Sequence, residues 1–131
     1  MEKTIYIPSK IESLRKVEKF IDEISIECKL SSEKYGNILI ATLEAANNAI
    51  VHGNKLKEDF DVKISASVNS NILCIIIEDK GKGFDYKKIP DPTSPENIEN
   101  ISGRGVFLME KLSDKIDFKK NGSIVELFFN I

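Results

Sequence analysis

At 131 residues the chain fits one domain, and 41% hydrophobic with 31% charged residues gives a real core beneath an ordinary charged surface. A formal net charge of −2 excludes a nucleic-acid binder driven by bulk electrostatics, and no run approaches the roughly 18 apolar residues that a membrane span requires. One histidine and two distant cysteines, Cys28 and Cys74, exclude a standard zinc site and read as two buried thiols in a reducing cytosol; the opening MEKTIYIPSK lacks the apolar centre of a signal peptide.

Thr4, Ile5, Tyr6 and Ile7 read as a short strand stopped by Pro8, and Ser9 is placed to cap a helix. Ile11, Leu14, Val17, Ile21 and Ile24 recur at steps of three and four, which predicts an amphipathic helix to about Cys28. Its stripe suits core packing or a dimer surface. Ser31 or Ser32 caps a second helix through Ile38, Leu39, Thr42, Ala45, Ala46, Ala49 and Ile50, with Gly53 as its stop.

The period then changes. Val62, Ile64, Ala66 and Val68 alternate with Lys63, Ser65 and Ser67, Asn69-Ser70-Asn71 is a turn, and the apolar run Ile72 to Ile77 reads as a central strand. Residues 80 to 101 show no period and carry two glycines and three prolines. A loop of that length in a small domain suggests a lid, about 84–103, with one helical turn at Tyr86 to Ile89. A helix is expected after Gly105 to about Leu112. Ile116 and Phe118, Asn121-Gly122, then Ile124 to Phe129 form a closing hairpin. The fold class is therefore an α/β two-layer sandwich: a mixed, mostly antiparallel sheet with helices on one face.

Three constellations carry chemistry. In EAANNAIVHGN, Glu44 and Asn48 are four apart on one helix face, with His52 four further on. A carboxylate there can orient a hydroxyl or accept its proton, and an amide oxygen suits Mg²⁺. Asn47 competes with Asn48 for that role, and a solvated helix face has the same pattern. In EDKGKGFD, Asp79 ends the apolar strand ahead of Gly81 and Gly83, so backbone can close on a flat ligand while the aspartate accepts from an exocyclic amine. Many turns share that spacing. In SGRGVFLMEKL, Gly103 and Gly105 at a helix start would aim free N–H groups at phosphate, with Arg104 adding charge; a tight loop-to-helix turn is the plainer account.

Taken in order, these three blocks resemble the GHKL (Bergerat-fold) ATPases. The N box of that family, Glu-x-x-x-Asn-Ala-x-x-His, matches Glu44, Asn48, Ala49 and His52, and its alanine selects Asn48 over Asn47. The G1 box matches Asp79, Gly81 and Gly83, followed by Phe84; the G2 box matches Gly103 and Gly105 before an apolar helix. Within the family the chain is most similar to the stand-alone anti-sigma factor serine kinases. A sensor histidine kinase fits less well, because the sole histidine already belongs to the N box.

The resemblance implies an ATP-dependent protein-serine kinase of 1–131, cytoplasmic, with ATP and Mg²⁺ as cofactors. Glu44 would be catalytic and Asn48 would hold the Mg²⁺. Asp79, with Gly81, Gly83 and Phe84, would receive adenine. Gly103, Arg104, Gly105 and Val106 would wrap the phosphates, with His52 and Lys55 as further phosphate contacts. The implied partners are a STAS-domain anti-anti-sigma factor as phosphoacceptor, a sigma factor, and a second copy in a homodimer, with no nucleic acid and no membrane. A module of the same fold that binds partners according to nucleotide, with little or no transfer, is the alternative.

Overall fold

A computed structural model describes residues 1–81 and 101–131, and of residues 101–104 the backbone only. The chain runs β1 (Glu2–Pro8), a 3₁₀ turn (Ile11–Ser13), α1 (Leu14–Cys28), α2 (Ser32–Asn48), a π-helical turn (Ala49–Gly53), β2 (Asp61–Asn69) and β3 (Ile72–Glu78), then α3 (Ile101–Leu112), β4 (Lys115–Lys119) and β5 (Ile124–Asn130). The expected single helical turn at Tyr86 to Ile89, and most of the expected lid, lie outside the described residues.

All four strand pairings are antiparallel, in the order β1-β2-β3-β5-β4, so the apolar run of β3 is the middle strand. Val62, Ile64 and Ala66 of β2, Leu73, Ile75 and Ile77 of β3, and Val125, Leu127 and Phe129 of β5 point to one buried face, as the two-residue period of a pleated strand dictates. α1 and α3 both pack against α2, and α1, α2 and α3 contribute to the same core. Burying an isoleucine or leucine there contributes about 1.5–3 kcal/mol relative to leaving it in water. On the opposite face Cys74 and Ile76 are only half-covered, which corrects the expectation of two buried thiols. Cys28 and Cys74 are both free and partly exposed.

Local chemistry places the ends. β1 includes Pro8 instead of stopping before it, which an edge strand tolerates because proline lacks only an N–H. Ser9 caps nothing: it is fully buried, and its hydroxyl donates to the Phe60 carbonyl at 2.6 Å. The stripe of α1 belongs to the core through Val17, Phe20, Ile21 and Ile24, and the helix ends at Lys29 in the left-handed region, φ 53°. Ser31, not Ser32, caps α2, its hydroxyl accepting from the Lys34 N–H at 3.2 Å. The β2–β3 hairpin turns through Ser70 and Asn71, both with positive φ, as a turn matched to strand twist requires.

One expectation about a glycine holds and one changes. The α-helix of α2 ends at Asn48 and a π-helical turn carries the chain on through Gly53. α3 begins at Ile101, so Gly103 and Gly105 lie inside its first two turns and not ahead of it. No helix among the described residues is long and apolar enough to cross a membrane.

Candidate active site

α2 presents Glu44 and Asn48 one turn apart, both partly buried. α3 crosses them at Gly105. A Cβ on that glycine would lie 3.0 Å from Glu44 Oε2 and 3.4 Å from Asn48 Nδ2. The glycine therefore lets the helix backbone come up to the carboxylate and amide, a second use beside the one its place in the sequence suggested.

The π-helical turn widens the backbone beyond Asn48. Asn54 N–H reaches the Ala49 carbonyl and Leu56 N–H reaches the Ile50 carbonyl, each at 2.8 Å. Such wide turns recur at functional sites. This one carries His52 and Gly53 to the exit of β3, where Asp79 stands. The Asp79 N–H donates to the Ser123 carbonyl at 3.0 Å, and its Oδ1 accepts from the Gly81 N–H at 2.7 Å. A Cβ on Gly81 would fall 2.2 Å from the Gly53 carbonyl oxygen, so neither position admits a side chain without movement.

Asn48, His52, Gly53 and Asp79 line one cavity with Ala45, Ala49, Ile77, Met109 and Val125 as its apolar wall. It holds 20 Å³, room for about one water. Burial is the main cause that pushes the Asp79 carboxyl above the usual carboxylate range; the Glu78 charge adds to it and the Gly81 N–H opposes it. A half-buried acid at the end of an apolar slot is suited to accept from a donor on a planar ligand.

The fold thus gathers Glu44, Asn48, His52, Asp79, Gly81 and Gly105 from three separated segments. Lys55 is exposed, in the left-handed region at φ 53°, and does not line the cavity. Gly83 and Phe84 lie outside the described residues. Gly103 and Arg104 are placed by backbone alone, in the first turn of α3. Val106 is 2% exposed, packs in the core and does not line the cavity. Sequence reasoning missed Gly53 as a contact surface and Asn54 altogether; the only signal for either was their place directly after His52.

Among the described residues no three His, Cys, Asp or Glu side chains cluster to hold a metal. Asn48 with water and phosphate oxygens is the arrangement Mg²⁺ accepts.

Comparison with known proteins gives the family and the fold. Residues 7–129 match the histidine kinase-like ATPase domain. The chain is 28% identical to a serine-protein kinase RsbW of Bacillus pumilus over 126 residues, covering 90% of this chain and 78% of that one. It is 33% identical to an anti-sigma F factor of Clostridium beijerinckii over 107 residues, covering 76% and 74%. A crystal structure of RsbU and RsbW domains from Mycobacterium tuberculosis superposes with a TM-score of 0.69 over 99% of this chain and 32% of that one, at 16% identity, which establishes shared fold. Because the domain match spans residues 7–129, nearly the whole chain, the chain belongs to the histidine kinase-like ATPase family.

Proposed function

We propose that the chain is a cytoplasmic ATP-dependent protein-serine kinase of the anti-sigma type, acting on a STAS-domain antagonist. The observation that carries this is the placement of Glu44 beside Asn48 at the Gly105 crossing, with Asn48 and Asp79 lining one cavity. The names of the Bacillus and Clostridium relatives supply the reaction class and the regulatory setting.

In this reading Asp79 accepts from the adenine amino group, and the apolar wall formed by Ile77, Met109 and Val125 holds the ring. Gly81 lets backbone approach the base. Glu44 orients the acceptor serine hydroxyl and takes its proton. His52 and the first turns of α3, from Gly103 through Arg104 to Gly105, meet the phosphates. Mg²⁺ held by Asn48 would offset phosphate charge. Phosphoryl transfer needs positioning and charge stabilisation more than covalent help, and so small a site can supply both. Sigma-factor capture and a homodimer complete the reading on the strength of the resemblance.

The test is calorimetry of the full chain with ATP and Mg²⁺, then transfer of labelled phosphate to candidate STAS-domain proteins. Glu44→Ala should bind ATP and transfer nothing. A wild-type chain that binds ATP but labels none of them would support the nucleotide-dependent binding module instead. A chain that binds no adenine nucleotide would end both readings.

A further inference from the structure

Asn54 follows the π-helical turn and is 2% exposed. A polar side chain so deep needs partners. Its Nδ2 donates to Ser9 Oγ at 2.9 Å, with the Asp61 carbonyl at 3.3 Å and the Phe60 carbonyl at 3.4 Å also in reach. Its Oδ1 accepts from the Lys80 N–H at 2.7 Å. One side chain ties the end of α2 to the segment after β1, the start of β2 and the exit of β3.

The tie to Lys80 has a consequence for Asp79. Lys80 N–H belongs to the peptide that follows Asp79, and the Asp79 N–H, in the peptide before it, is held by the Ser123 carbonyl. With both flanking peptides fixed, the Asp79 side chain leaves the backbone in one direction. Its Oδ1 is then spent on the Gly81 N–H, and among the described residues nothing donates to Oδ2. Ser9, Phe60 and Asp61 present acceptors to the amide nitrogen alone, so the amide oxygen finds no partner in the corner between β1 and β2. The shortest bond Asn54 makes instead reaches the residue beside the recognition carboxylate.

We propose that Asn54 is a positioning residue for base recognition, locking the Asp79–Lys80 peptide so that the remaining carboxylate oxygen is held ready for the adenine amino group. The inference rests on reading the cavity as an ATP site. It assigns nucleotide specificity to a residue that does not line the cavity.

The experiment compares two ligands on each protein: ATP, and purine riboside triphosphate, which lacks the amino group, both with Mg²⁺. The ratio of the two dissociation constants is insensitive to a general loss of stability, because both ligands meet the same folded protein. The wild type should favour ATP about tenfold or more, the scale of a hydrogen bond to a charged group. Ser9→Ala, which removes a partner on the far side of Asn54, should lower stability and keep the ratio. Asn54→Ala should bring the ratio to within about threefold of unity, well under the effect of one such bond. A folded Asn54→Ala with the wild-type ratio overturns the proposal. Should Asn54→Ala not fold, Asn54→Ser carries the same expectation, because its hydroxyl stops short of the Lys80 N–H, and a retained ratio there overturns it equally. A wild type with no preference for ATP removes the adenine assignment of Asp79 itself, and the inference falls with that reading.

Discussion

A Cβ added to Gly53 would sit 2.4 Å from the Asp79 carboxylate carbon, closer than real carbon atoms approach. The glycine at the end of the N-box helix and the acid at the end of the central strand are therefore one unit. Gly53→Ala must push the carboxylate aside or open the turn. It should lower stability by about 1–3 kcal/mol, the usual scale of overpacking, and weaken ATP binding at least about tenfold. Denaturant titration and calorimetry on the same samples check both; unchanged ATP affinity would mean that Asp79 has no part in binding.

Much of this was legible in the sequence, and the reasons differ by element. β2, β3 and β5 announced themselves by a two-residue period on one buried face. α1 did so by steps of three and four. Glu44, Asn48 and Asp79 were legible as chemistry because a carboxylate, an amide and an acid-Gly-x-Gly turn are poor core material. Gly53 was legible as the end of the helical run but not as a contact, because helix stop and close contact leave the same letter in a sequence. Ser9 looked like a cap because caps are local, whereas its partner Phe60 lies across the sheet edge. Asn54 left no periodic trace: its four partners come from three segments, two of them distant, and only the fold assembles them.

Gly105→Ala separates stability from chemistry. Alanine is worth up to about 1 kcal/mol over glycine inside a helix. The nearest atom to the new methyl group would be Glu44 Oε2, the free end of a flexible side chain, at 3.0 Å. Glu44 can swing away, so the fold should be as stable as the wild type or slightly more so. The displaced carboxylate should cost about tenfold or more in phosphoryl transfer, the lower end of what a positioned acid–base group contributes. Thermal unfolding and labelled-phosphate transfer to a STAS-domain acceptor read the two effects; a destabilised protein with full activity would contradict both halves.

Thr42 offers a change with no expected effect on the site. It is fully buried in α2, and among the described residues its hydroxyl has no hydrogen-bond partner. An unmet buried hydroxyl costs on the order of 1–3 kcal/mol, and valine has nearly the same shape. Thr42→Val should therefore raise stability by about 1 kcal/mol, which shifts Tm by a few degrees in a domain this size. ATP affinity should not move. A loss of stability on denaturant titration would show that the hydroxyl is satisfied in solution.

Asp79→Asn should move stability and binding in opposite directions, with a pH dependence whose sign follows from burial. The folded protein holds the Asp79 carboxyl above its ordinary range, chiefly because burial disfavours the charge. Between the ordinary value, about 4, and the raised one, the folded state carries more of the proton than the unfolded state does. Stability must fall as pH rises through that window and stay lower above it. The amide variant carries no such penalty. Without nucleotide, Asp79→Asn should be more stable than wild type at neutral pH, and the advantage should vanish below about pH 4 as both proteins become uncharged at this position. The same change replaces a charged acceptor with a neutral amide facing the cavity, so ATP affinity should drop by about tenfold or more. Unfolding midpoints from about pH 3 to about pH 7, taken with and without ATP and Mg²⁺, test both parts together. A pH-independent stability difference would show that Asp79 is already well solvated, and a stabilising variant that bound ATP as tightly as the wild type would leave the buried charge without a function.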